Sequence, residues 1–122
     1  MANQSWPNPI YAPPVRIPDV STAQLPADAQ LIDVREDDEW RAGHAPGALH
    51  LPMMQVPERL ADIPTEGNVV IVCRSGHRSA EVVRYLIGQG YDNVRNLADG
   101  MFGWVAAGRP LVSEDGDGPV VL

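Results

Sequence analysis

This chain has no lysine, one cysteine and one phenylalanine, and no apolar run near the roughly 20 residues that a membrane-spanning helix needs. Each scarcity excludes something. Without lysine there is no Schiff-base chemistry, and every basic residue is an arginine. A single cysteine rules out an internal disulfide and a resolving thiol, so any sulfur or redox cycle on it must finish on an outside acceptor. Positive charge is scarce too. The formal net charge is -7, which argues against a nucleic-acid partner, since phosphate binding needs a basic face. No basic segment followed by an apolar stretch opens the chain, so no secretory signal is visible and a cytoplasmic location is expected. The histidines, His44, His50 and His77, are too few and too scattered for a metal site.

What is present alternates between strand and helix signals. At 122 residues the chain is one domain, long enough to bury about two thirds of its unfolded surface. Residues 1–14 hold Pro7, Pro9, Pro13 and Pro14 and read as an extended arm. Residues 113–122 form an acidic, glycine-rich tail, expected to be solvated. Between them, residues 15–112 carry the domain. Strands are expected over 15–20, 30–34, 48–51, 69–73 and 93–97, with Pro18 confining the first to an edge. Ser21 offers an N-cap for a short turn through Leu25. Helices are expected over 36–42, ended by Gly43 as a left-handed cap, over 57–63 with Pro57 at the start, over 79–87, and over 101–107. This is an α/β pattern: a mainly parallel sheet of about five strands with helices on both faces. The most apolar strand, Val69-Val70-Ile71-Val72, belongs at its centre.

That strand runs into Cys73-Arg74-Ser75-Gly76-His77-Arg78-Ser79. Ligands of parallel sheets sit beyond the carboxyl ends of the strands, which is where Cys73 falls. If the loop curls round the sulfur, its amides form a nest for an anion. The N-terminus of the following helix adds its positive end, and Arg74 and Arg78 add two permanent charges. All three favour thiolate over thiol, so the Cys73 pKa is expected below its ordinary value. Gly76 lets the loop turn without a Cβ in the pocket. A buried, inert cysteine would leave two neighbouring arginines with nothing to pair with.

The same loop resembles the active-site loop of single-domain rhodaneses, a sulfurtransferase family. The resemblance extends to Leu31-Ile32-Asp33-Val34-Arg35, Glu39-Trp40, Gly43-His44-Ala45-Pro46-Gly47-Ala48 and His50-Leu51-Pro52 on one side. On the other it takes in Asn96-Leu97-Ala98-Asp99-Gly100-Met101 and Trp104, so that residues 19–112 are covered in matching order. It implies a rhodanese-like domain in which Cys73 takes a sulfane sulfur from thiosulfate or a similar donor. The persulfide then passes it to cyanide, a thiol or an acceptor protein. Arg74, Ser75, Gly76, His77, Arg78 and Ser79 would bind substrate: the amides hold the anionic persulfide, and Arg78 with Arg74 holds the donor's charged end. No metal or organic cofactor is implied.

Two other readings stand beside it. Cysteine phosphatases and arsenate reductases of the C-x5-R type need a loop one residue longer than the C-x4-R of Cys73 and Arg78. A non-catalytic binding module of the same family usually lacks the cysteine that this chain has. Asp33 and Arg35 are expected to form a hydrogen-bonded network shaping the loops, with direct substrate contact as the alternative. His44 is expected to bond backbone in its turn, and His50 is a candidate for the pocket rim. His77, at a variable loop position, is a candidate for acceptor choice. Trp40 and Trp104 are expected in the core.

Overall fold

Val69, Val70, Ile71 and Val72 are all buried, and the fold is arranged round them. The computed structural model describes residues 16–116 and 118–122; the expected arm over 1–14, and Val15, lie outside them. Five strands form the sheet: β1 (Asp19–Val20), β2 (Gln30–Asp33), β3 (Leu49–His50), β4 (Val69–Val72) and β5 (Val94–Leu97). They run in the order β1-β5-β4-β2-β3, and every pairing is parallel. β4 is central because only a strand covered on both faces can be apolar throughout.

Side chains alternate across β4, and so divide the core in two. Val69 and Ile71, with Cys73 next in the same row, pack with Val82, Val83 and Leu86 of α2 (His77–Gly88). Val70 and Val72 pack on the other face with Met101 and Trp104 of α3 (Gly100–Ala106). A third helix, α1 (Asp37–Ala42), carries Asp37, Asp38 and Glu39 in its first turn, where the helix dipole favours acids. No helix among the described residues is long and apolar enough to cross a membrane.

Several boundaries differ from expectation for identifiable reasons. The segment Met53–Asp62 is a 3₁₀ stretch, not an α-helix starting at Pro57, and it bends at Arg59 (φ −120°, ψ 30°). Met53 and Val56, then Leu60 and Ile63, are three residues apart. That spacing aligns on a 3₁₀ turn, and all four pack into the α2-side core. α2 starts at His77, two residues early, because Gly76 caps it at φ +97°. Gly43 ends α1 in extended backbone at φ 175°, not as a left-handed cap. What requires glycine there is the backbone of Val120, into which a Cβ would run. The acidic tail is largely exposed yet does not run free. Glu114 N–H donates to the Arg41 carbonyl, Val120 N–H donates to the Ala42 carbonyl, and Val121 packs on the α3-side core.

Candidate active site

Cys73 leaves β4 with 1% of its surface exposed, at the carboxyl end of the central strand. Its Sγ accepts the Gly76 N–H at 3.1 Å and lies 3.2 Å from Ser79 Oγ. Ser79 Oγ donates to Asn96 Oδ1 at 2.5 Å. The Asn96 amide is oriented from its other side, where Nδ2 donates to the Gly76 carbonyl and to Asp19 Oδ1 at 3.2 Å each. Burial alone would push the Cys73 thiol up. The Ser79 hydroxyl, with the amides of Ser79, Ser75 and Gly76, outweighs it and holds the thiol below its ordinary value.

The loop keeps its shape because a second segment interlocks with it. Met101 N–H donates to the Cys73 carbonyl at 2.9 Å, and Phe102 N–H to the Arg74 carbonyl at 3.1 Å. Gly76 and Gly100 make this possible. A Cβ on Gly76 (φ +97°) would meet the Ala98 carbonyl, and one on Gly100 (φ +59°) the Arg74 carbonyl.

The two loop arginines part company. Arg78 is engaged by Glu39: Nη1 donates to Oε1 at 2.7 Å and Nη2 to Oε2 at 2.9 Å. Sequence alone offers Arg78 no partner; the fold brings one from α1. That hydrogen-bonded guanidinium, against the opposing effect of burial, takes the Glu39 carboxyl from 4.5 to about 2, with the Glu36 amide adding to it. Glu39 in turn raises the Arg78 pKa. Arg74 is exposed, with its guanidinium carbon 5.6 Å from the centre of the Phe102 ring. Ser75 Oγ and His77 Nδ1 share a hydrogen bond at 3.2 Å on the exposed side of the loop.

Asp33 and Arg35 lie beside this loop, since Val34 N–H donates to the Val72 carbonyl. Both are buried. Arg35 Nε donates to Asp33 Oδ1 at 2.9 Å, and Nη2 to Asp33 Oδ2 at 2.8 Å and to the Gly43 carbonyl at 2.7 Å. His50 Nε2–H donates to the Arg35 carbonyl and His44 Nδ1–H to the Trp40 carbonyl, each at 2.8 Å. Trp40 is half-buried and stacks with both histidines, at centroid distances of 3.5 Å and 4.7 Å. Trp104 is core, its Nε1–H donating to the Pro110 carbonyl.

Sequence reasoning assigned no role to Asn96, Gly100 or the partner of Arg78. Asn96 left a signal: an amide in a buried strand is costly unless hydrogen-bonded, so it marks a network. Glu39 stood in a block that carries the resemblance, but nothing local paired it with Arg78, because the contact spans 39 residues. A cavity of about 620 Å³ opens at the other end of the sheet against Gln30, Leu31 and Trp104, and no cysteine lines it. A depression of about 340 Å³ lies at the loop itself, against Met53, His77, Arg78, Ala80, Glu81 and Arg84.

Comparison with known proteins agrees with this fold. Residues 20–107 match the model of the family described as rhodanese-like domain. A sulfurtransferase of Allochromatium vinosum is 44% identical over 89 residues, covering 73% of this chain and 83% of the relative. A Bacillus subtilis protein provisionally called a sulfurtransferase, YtwF, is 39% identical over 102 residues, covering 79% and 98%. Among solved structures, a rhodanese-related protein of Thermoplasma volcanium superposes with a TM-score of 0.74 at 25% identity, covering 80% of this chain and 99% of that one. These relatives support sulfur transfer of the rhodanese type.

Proposed function

The chain belongs to the rhodanese-like family, and on that premise we propose that it is a sulfurtransferase working through a persulfide on Cys73. The observation that carries the proposal is the thiol at the end of β4, ringed by a hydroxyl and three amides that favour its anion. With thiosulfate as donor, the Cys73 thiolate attacks the outer sulfur. An S–S bond forms on Cys73, the S–S bond of thiosulfate breaks, and sulfite leaves with the electron pair. The persulfide anion takes the place of the thiolate against the loop amides. Cyanide or a thiolate then attacks the outer sulfur, and Cys73 returns as thiolate. Charge is conserved in both steps, and neither consumes an oxidant.

No second cysteine can take the sulfur within the chain, so an outside acceptor, small molecule or protein, completes the cycle. A lone reactive thiol suits reducing surroundings such as the cytoplasm. The C-x4-R spacing leaves the ring one residue short of the phosphatase loop. Intact-mass measurement after thiosulfate treatment tests the proposal. The expected result is one added sulfur atom, removed by cyanide as thiocyanate and absent in Cys73→Ser. An unchanged mass with thiosulfate, an organic persulfide and 3-mercaptopyruvate would overturn it. Hydrolysis of an aryl phosphate in its place would move the chain to the phosphatase reading.

A further inference from the structure

The loop after Cys73 carries two arginines, but they do not present two free charges. Arg78 gives both terminal nitrogens to Glu39. The pair is well formed: Glu39 is 13% exposed and Arg78 34%. Glu39 is held on its own side too, because its Oε1 accepts the Glu36 N–H at 3.1 Å in a capping box that closes the start of α1. The clamp therefore has a fixed end on α1 and a captive end on α2. Glu36 stands in the same field, within electrostatic reach of Arg78. Arg74 has no carboxylate partner among the described residues; its guanidinium lies over the Phe102 ring. The depression at the loop is lined by two guanidiniums, and both are engaged: Arg78 by Glu39 and Arg84 by Glu81 at 2.7 Å. The acids Glu36 to Glu39 open the helix that supplies the first of these partners.

Building on the sulfur-transfer reading, we infer that Glu39 determines donor class. By neutralising Arg78 it tunes the mouth to a sulfur donor whose reacting end carries one negative charge, an organic persulfide, over the doubly charged thiosulfate. The Cys73 thiolate attacks the outer sulfur of RSS⁻; an S–S bond forms on Cys73, the S–S bond of the donor breaks, and RS⁻ leaves with the electron pair. A departing thiolate needs one cation beside it. Thiosulfate reacts by the same route, but its second charge meets Glu39 and Glu36 at the mouth. Glu39 touches neither donor nor sulfur and acts only through Arg78, so it is a positioning residue.

The experiment is a donor comparison in Glu39→Gln, using thiosulfate and 2-hydroxyethyl persulfide with cyanide as acceptor. Glutamine keeps the length and one hydrogen bond to Arg78 but removes the charge. KM for thiosulfate is expected to fall about tenfold with kcat within about twofold, while the persulfide parameters stay within about twofold. Glu39→Asp, which keeps the charge, is expected to retain the wild-type donor ranking. A purely structural role would lower kcat for both donors together, and that result overturns the inference, as does an unchanged or raised thiosulfate KM. Should Glu39→Gln fail to fold by circular dichroism, the wild-type chain decides. A kcat/KM at least about ten times higher for the persulfide supports the assignment, and any smaller ratio overturns it. If Cys73 takes sulfur from neither donor, the sulfur-transfer reading fails and this inference with it. If it takes sulfur from both and the donor ranking ignores Glu39, only the inference fails.

Discussion

Replacing Ser79 with alanine isolates what one hydroxyl does for the thiolate. The substitution keeps the Ser79 backbone amide, which also faces the sulfur, and deletes only Oγ. That oxygen lies 3.2 Å from Cys73 Sγ and 2.5 Å from Asn96 Oδ1. It has one proton for the two. With Cys73 as a thiol, the S–H serves Ser79 and Ser79 serves Asn96. With Cys73 ionised, sulfur and amide compete for the same hydroxyl proton. A hydrogen bond to a charged group is worth about 1.5–3 kcal/mol. Competition from Asn96 places Ser79 at the low end, near ~1.5 kcal/mol, or about a tenfold change in thiolate population. The folded state is affected as well: Asn96 Oδ1 loses its donor in a buried site, a cost of about 1–3 kcal/mol in stability. Because Cys73 is the one thiol in the chain, its alkylation by iodoacetamide can be read on the whole protein by mass. The variant's midpoint for alkylation is expected at higher pH than that of the wild type, with the two rates converging at high pH, where both are ionised. A midpoint that stays in place or falls would refute the argument, because the hydroxyl would then not be supporting the anion.

Three more outcomes follow from the same geometry. Gly76→Ala sets a Cβ against the Ala98 carbonyl at φ +97°; it is expected to cost at least about 2 kcal/mol by urea denaturation and to abolish sulfur loading, because the loop and the start of α3 interlock there. Arg35→Leu strands the buried Asp33 carboxylate and is expected to cost about 3–5 kcal/mol. The double variant Asp33→Leu/Arg35→Leu is expected to be less destabilised than Arg35→Leu alone, and an equal or larger loss would refute the pairing. The third concerns acid. Glu39 has its folded pKa depressed from 4.5 to about 2, so its contribution is complete above 4.5 and is lost as pH falls toward 2. The linked loss is up to about 3 kcal/mol between those limits, measurable by denaturation at several pH values, and Arg78→Ala is expected to remove most of that slope.

The sheet and the position of the loop thiol were legible in the chain because their signals are local. Val69–Val72 is an unbroken apolar run that only a central strand can bury, and Cys73 follows it directly. The Gly76 turn and the helical spacing after it complete a strand–loop–helix unit that needs no distant partner to be recognised. Local signals misled where a short-range rule met tertiary packing. Pro57 suggested a helix start, yet apolar residues three apart favoured a 3₁₀ stretch beginning at Met53. Gly43 suggested a left-handed cap, yet the need for glycine comes from Val120, far along the chain.

By itself, then, the sequence determined where the lone thiol falls and which backbone surrounds it, because an apolar strand, a glycine turn and a helix start are encoded by neighbours. Only the tertiary structure decided how charged and how firmly held that site is. Glu39 reaches Arg78 across 39 residues, Asn96 reaches Ser79 across 17, and Gly100 fits under the carbonyl of Arg74. Hydrogen bonds and ion pairs depend on distances of a few ångströms, and such distances between remote residues exist only once the sheet has brought its strand ends together.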